Sequence, residues 1–559
     1  MSIAASGELD RRRFLAWFSA AVGASMAQSG EISRDMLEHA EEVAGVRFSD
    51  EERELMLSGL NEQLRHFEFL RGVHLPNSVP PALRFDPLPA RVSIDDQRRP
   101  IRVSEVATPA VPADLEELAF WPVTRLGKLI QSRRVSSSDL TQMYLARLKR
   151  YGPKLECVIS LTEERALEQA RRADAEIAAG RYRGPLHGIP WGAKDLLAVK
   201  GYKTTWGAMP YKDQVIDTDA TVVQRLDEAG AVLVAKLTLG ALAWGDVWYG
   251  GTTRNPWNYE QGSRGSSAGS ASATAAGLVG FTIGTESWGS IVAPSSRCGA
   301  TGLRPTFGRV SRHGAMALSW SMDKIGPICR SVEDCAIVFD AIYGSDGADL
   351  SVIDAPFNWD AGLPVEQLRI GYLPGAFEEA RDDQEEWRAT DLQTLEKLRA
   401  MGWELQPVEL PQLPIIALSF ILEVEAAAAF DELTRNNHDQ LLVRQIENAW
   451  PNVFRKARFI PAVEYVQANR VRMLAMQAMA ELMTSIDVYV APSVVGDNLL
   501  LTNLTGHPAV VVPNGFRSDG TPTSISFTGG LFGEAETLAV ARAFQEATDF
   551  HLRHPTLST

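Results

Sequence analysis

Four cysteines in 559 residues, Cys157, Cys298, Cys329 and Cys335, are too few for a disulfide scaffold and show no C-x-x-C pair. Buried free thiols are expected, with a single disulfide as the alternative if the chain is exported. Basic residues are outnumbered, 55 Lys and Arg against 70 Asp and Glu, and the net charge of −15 argues against a nucleic-acid surface. Outside Asp10–Ala27, no run approaches the ~20 apolar residues that a membrane-spanning helix needs. There is no internal repeat, and no low-complexity tract beyond the Ser/Gly/Ala-rich region Ser263–Gly277. What remains, 45% hydrophobic and 22% charged, is an ordinary globular composition that leaves the number of domains open.

The first residues look like a processing segment. Asp10–Ala27, DRRRFLAWFSAAVGASMA, places three arginines before an uncharged apolar stretch ending in Ser25-Met26-Ala27. Arg11-Arg12-Arg13-Phe14-Leu15 resembles a twin-arginine export signal, so residues 1–27 are read as a signal peptide and the location as periplasmic or otherwise exported. A basic cytosolic helix start is the alternative. Residues 28–75 are read as a helical extension, with Met56, Leu60, Leu64 and Phe67 along one face and Ser49 and Glu52 at capping-box spacing. Such a stripe must be buried on something larger. The segment looks like the small helical partner subunit of bacterial aminoacyl-tRNA amidotransferases, although a strap around the same chain is the preferred reading. Residues 76–117 are a proline-rich connector, and 118–559 form the main body.

In that body, helical spacing recurs over Val123–Tyr151 and Leu161–Ala179. Short β-branched runs at Ala231–Ala235, Leu368–Tyr372, Val488–Val490 and Ala509–Val512 read as buried strands. Strands alternating with helices predict an α/β fold with a mixed sheet covered by helices.

The stretch GSSAGSASATAAG lies between Arg254-Asn255-Pro256-Trp257 and the apolar Leu278–Gly284, so it belongs to a packed unit and is no linker. Serine as a nucleophile needs a base, commonly histidine. None of the nine histidines suits; His187 and His507 are read as loop residues, and His551-x-x-His554 is too thin a signal for a metal site. Gly265–Gly269 fits the five-residue nucleophile elbow of other hydrolases, but without an obvious strand before it. Lysine remains. Lys194, in Pro185–Leu197, stands amid small and apolar residues, where burial disfavours the charged form. A surface ion pair with Asp195 is the bland alternative.

Together these motifs resemble the amidase signature family, serine hydrolases with a Ser-Ser-Lys triad, from about Leu118 to the C-terminus. The matching stretches are Leu186-x-Gly188-x-Pro190-x-x-x-Lys194-Asp195, Asn255-Pro256-Trp257 with Gly265–Ser270, Gly289-Ser290-Ile291, Gly299–Ser311 and Asp323-x-x-Gly326-Pro327. The resemblance implies that Ser290 is the nucleophile, that Ser266, preceded by a cis peptide bond, relays the proton, and that Lys194 is the base. It also implies an oxyanion hole from the backbone N–H groups of Ser287, Trp288, Gly289 and Ser290, with neither cofactor nor metal.

Three positions depart from the family pattern: Glu286 replaces Asp, Trp288 replaces Gly, and Val292 replaces Arg. Val292 removes an ion-pair partner and leaves Glu286 needing another. Trp288 keeps its N–H, but its indole is expected to narrow the acyl pocket, or to strain the turn if that position requires positive φ. The expected function is hydrolysis of a small or peptide-like amide, with no nucleic-acid partner, no stable membrane span and a homodimer left open. The alternatives are a catalytically degenerate binding protein and an amidotransferase-type subunit.

Overall fold

The computed structural model describes residues 31–90, 92, 94, 96–378 and 385–558. The proposed signal segment therefore lies outside the described residues. The chain divides into a small unit ending at Val79, which includes Phe459–Pro461, and a large unit, Pro80–Arg458 with Ala462–Thr559.

The small unit is the expected helical pair, α1 (Arg34–Ala44) and α2 (Asp50–Arg71). Ser33 caps α1 and Gly45 ends it in the left-handed region, while Ser49 and Glu52 form the reciprocal capping box that starts α2. Arg53 reaches back from α2 to Glu41 of α1 at 2.8 Å. The stripe on α2 is not buried as expected: no side chain of this helix is, and Phe67 is 40% exposed.

In the large unit the helical stretch Val123–Tyr151 is two helices, α3 (Val123–Gln131) and α4 (Ser137–Leu155). The break falls where Arg133 takes φ 56° and Ser136 caps the second helix. The stretch Leu161–Ala179 is α5 (Glu163–Ala178). From Pro80 the connector lies along the large unit, with Arg102 N–H donating to Trp359 O at 2.8 Å and the Phe85 ring edge-on to Phe307.

Eleven strands form one sheet. They are β1 (Val158–Leu161), β2 (Pro190–Lys194), β3 (Val232–Leu237), β4 (Phe281–Glu286), β5 (Thr301–Arg304) and β6 (Lys324–Cys329). After them come β7 (Ile370–Tyr372), β8 (Leu405–Pro407), β9 (Val488–Pro492), β10 (Ala509–Phe516) and β11 (Pro522–Gly529). The spatial order is β1-β3-β2-β4-β6-β5-β10-β11-β9-β7-β8. Parallel pairing joins β3, β2 and β4 and again β9, β7 and β8, and the remaining neighbours are antiparallel. This is the expected mixed sheet. All four strands read from β-branched runs are present as β3, β7, β9 and β10. Every residue of β2, β3, β4 and β6 is buried, as strands covered on both faces require.

The Ser/Gly/Ala region supplies α6 (Ala268–Ala275), all eight residues buried and none bulkier than Thr. That lack of bulk is what lets it lie against the sheet. A Cβ at Gly269 would fall 2.5 Å from Cys157 O and from Thr238 N. All four cysteines are buried and unpaired, as expected, and burial pushes the Cys157 thiol up to about 12.

Candidate active site

Because β2 and β4 run parallel as neighbours, their carboxyl ends lie together, and these ends carry Lys194 and Glu286. Open α/β sheets commonly build sites at that edge. Lys194 is wholly buried, and its Nζ faces only neutral oxygens: Ser266 Oγ at 2.8 Å, Ser267 Oγ at 3.0 Å, Thr285 Oγ1 at 2.9 Å and Thr285 O at 3.3 Å. Burial holds its pKa well below the usual 10.5, against the weaker opposing pull of Asp323 and Glu286.

The surface ion pair with Asp195 does not exist. Asp195 is buried and pairs with Lys236 at 2.8 Å, while its other oxygen accepts from Thr205 N–H and O–H. Lys194 is also not alone in having an apolar setting, since Lys236 and Lys324 are equally enclosed. What sets it apart is the contact with Ser266.

The peptide bond Gly265–Ser266 is cis. Ser267, which sequence reasoning missed, has its hydroxyl fully used: Oγ accepts from Lys194 Nζ and Thr285 N–H and donates to Thr285 O at 3.1 Å. Its backbone N–H donates to Ser290 O at 3.0 Å, which ties the two serine segments together. Ser290 itself is 9% exposed, and its hydroxyl bonds no protein group among the described residues. The structure thus joins Lys194 to Ser266 directly and brings Ser290 in through the backbone of Ser267, without a Ser266–Ser290 side-chain bond.

Between β4 and the following helix α7 (Val292–Cys298), the chain turns through Ser287–Ile291. Among the described residues, the N–H groups of Ser287, Trp288, Gly289 and Ser290 have no protein acceptor. Four consecutive free donors at one turn make a concavity suited to an anionic oxygen. The tight φ of +82° falls on Gly289, so Trp288 does not need positive φ and brings no backbone strain. Its indole is 38% exposed, the one exposed side chain of an otherwise buried turn.

The carboxylate that holds this turn is Glu286. Its Oε2 accepts the N–H groups of Ile291 and Val292 at 2.8 and 2.9 Å, and its Oε1 accepts from Arg304 at 3.0 Å and from Asn503 at 2.8 Å. Burial alone would raise the Glu286 pKa, but the Arg304 charge and the three further donors outweigh it and leave it lowered. Arg304 on β5 therefore does what Val292 cannot. It stands inside the quoted Gly299–Ser311 match, whereas nothing in the sequence marked Asn503.

The histidines lie elsewhere, as expected. His187 sits 3.3 Å from Glu176, and His507 bonds Thr505 Oγ1, its pKa driven down to about 3 by burial and by Arg304. His554 stacks on the Phe120 ring, and no group of His, Cys, Asp or Glu among the described residues is arranged to hold a metal ion.

The chain is similar to known proteins over most of its length. The amidase family model matches residues 139–499. The chain is 33% identical over 472 residues to a glutamyl-tRNA(Gln) amidotransferase subunit of Methylococcus capsulatus, covering 76% of this chain and 96% of that protein. The same-named protein of Geobacter metallireducens is 34% identical over 482 residues, covering 78% and 99%. Among solved structures, the native peptide amidase from Stenotrophomonas maltophilia has a TM-score of 0.70 at 30% identity, covering 79% of this chain and 100% of that one. Matched over this length by the family model and by relatives spanning nearly their whole sequence, the chain belongs to the amidase signature family.

Proposed function

We propose that the protein is a serine hydrolase that cleaves a carboxamide C–N bond through an acyl-enzyme on Ser290. The observation that carries this reading is the wholly buried Lys194 Nζ, 2.8 Å from Ser266 Oγ with no carboxylate bonded to it. A neutral amine has two N–H donors and one lone pair. Ser267 Oγ, already bonded to Thr285 N–H and Thr285 O, accepts one N–H, and Thr285 accepts the other. The lone pair is left for the Ser266 hydroxyl. That is the arrangement of a base that acts through a relay.

In this mechanism Ser290 Oγ attacks the carbonyl carbon. Its proton passes to Ser266 as the Ser266 proton passes to Lys194, and the Ser290–Ser266 hydrogen bond closes when substrate fills the site. The oxygen of the tetrahedral intermediate takes the free N–H groups of Ser287–Ser290, a form of stabilisation generally worth a few kcal/mol per donor. The proton returns from Lys194 through Ser266 to the nitrogen, and the C–N bond breaks. Water, deprotonated by the same pair, then attacks the ester carbonyl and frees Ser290.

A small or peptide-like amide is the proposed substrate, supported by the likeness to a protein named peptide amidase. The names of the curated relatives favour a second reading, an amidotransferase subunit that passes ammonia to a partner's substrate. The net charge of −15 weighs against a nucleic-acid-bound partner. Hydrolysis of a panel of amides by the isolated chain separates the two, since a hydrolase turns over without an acceptor. In the same assay a fluorophosphonate probe is expected to label the wild type and not Ser290→Ala. Unchanged labelling of that variant would sink the nucleophile assignment.

A further inference from the structure

The turn that offers four free N–H groups is held at both ends. Glu286 fixes its far side by gripping Ile291 and Val292. Its near side is fixed by a different carboxylate. The Ser287 hydroxyl donates to Asp323 Oδ1, while Asp323 Oδ2 accepts the N–H groups of Leu318 and Ser319 at 2.8 and 2.9 Å. Three donors converge on one side chain, which is the pattern of a carboxylate used as a bracket.

The loop to which Asp323 fastens Ser287 is itself immobilised from behind. Glu425 on α8 (Phe420–Ala429) accepts from Ser319 Oγ at 2.7 Å, Ser321 N at 3.0 Å and Ser321 Oγ at 2.7 Å. Arg472 on α9 (Ala462–Ser485) donates to Ser321 O and Ser321 Oγ, each at 2.8 Å. Asp323 therefore connects a rigid, doubly anchored loop to the first residue of the turn.

We propose that Asp323 is a positioning residue for amide hydrolysis, holding the Ser287–Ser290 N–H groups in register through the Ser287 hydroxyl. This inference rests on the hydrolase reading given above. A carboxylate so placed also acts through space: Asp323 and Glu286 are the charged groups whose fields reach Lys194, and both favour its protonated form. Asp323 in turn is influenced by Arg312, and its field is felt by Lys324.

The test uses the full chain and a small primary amide, with Asp323→Asn, Ser287→Ala and Ser287→Thr measured beside wild type. Misplacement of a catalytic donor by about an ångström commonly lowers turnover about 100-fold. Asp323→Asn and Ser287→Ala are expected to lower kcat about 10- to 100-fold with KM within about threefold. Ser287→Thr, which keeps a hydroxyl, recovers most of that loss. Removing the negative charge disfavours protonated Lys194, so Asp323→Asn moves the acid limb of the kcat/KM profile to lower pH. Ser287→Ala leaves that limb in place.

Wild-type kcat in Asp323→Asn with an unmoved acid limb would overturn the inference. So would a rise in KM alone in Ser287→Ala, the variant that decides the matter if Asp323→Asn does not fold. Absence of labelling at Ser290 in the wild type would instead overturn the hydrolase reading, and this inference with it.

Discussion

Arg304 and Glu286 meet at 3.0 Å with both side chains wholly buried, across the width of β6, which lies between their strands. Glu286 thus takes its cation from a strand of the sheet, while Val292 at the start of α7 supplies only a backbone N–H to it.

Removing one member of such a pair strands the other. Arg304→Leu is expected to lower the unfolding free energy by about 3–5 kcal/mol, read by urea denaturation at neutral pH. The pH dependence carries a sign. The folded pKa of Glu286 lies below its ordinary 4.5, so its stabilising contribution is complete above about pH 4.5 and is lost as pH falls through the folded value. Wild type should weaken in that range more steeply than Arg304→Leu. Equal stability of the two proteins at pH 7 would refute the pairing.

Lys194 points the other way. Its folded pKa lies below the unfolded value of 10.5, so the unfolded chain binds the extra proton and stability rises with pH towards 10.5. Lys194→Met should therefore melt higher than wild type at pH 7, by about 2 °C or more, while losing about 10²- to 10⁴-fold in kcat. A thermal melt beside an activity assay decides it, and a variant that is both active and less stable contradicts the role of base.

Trp288 offers a milder test. The sharp backbone angle belongs to Gly289, so Trp288→Ala should fold normally and keep the free N–H of that position. With a 38% exposed indole gone, kcat/KM for aromatic amides should fall about 2- to 10-fold, while labelling by a small fluorophosphonate stays as in wild type. Parallel losses for small and aromatic amides would deny the side chain any part in selection.

The proposed export segment makes a prediction of its own. Lysine in place of Arg11, Arg12 and Arg13 should retain the protein inside the cell, as read by fractionation. Unaltered export would remove the twin-arginine reading.

Much of this was legible beforehand because the signals were local. β-Branched runs marked β3, β7, β9 and β10, and Ser49 with Glu52 marked the start of α2. The family resemblance carried by the motifs pointed to Lys194, Ser266 and Ser290, and the structure sets the first of these against the second. What escaped depends on sheet order. Arg304 lies 18 residues from Glu286 and Asn503 lies 217, and only the arrangement of β4, β6 and β5 brings that arginine to that carboxylate. The saturated hydroxyl of Ser267 could not be told from that of Ser266 by residue type. Nor could a lysine contacting Ser266 be told from Lys236, whose equally apolar strand ends in a buried ion pair with Asp195.

The four unpaired cysteines carry a consequence for handling the protein. Each is enclosed, so an alkylating agent cannot reach the sulfur while the chain is folded. Their modification by a maleimide should follow the opening of the fold rather than the reagent's own chemistry. The chain thus contains four native clocks, at Cys157, Cys298, Cys329 and Cys335, against which the lifetime of the closed state can be timed without any added label.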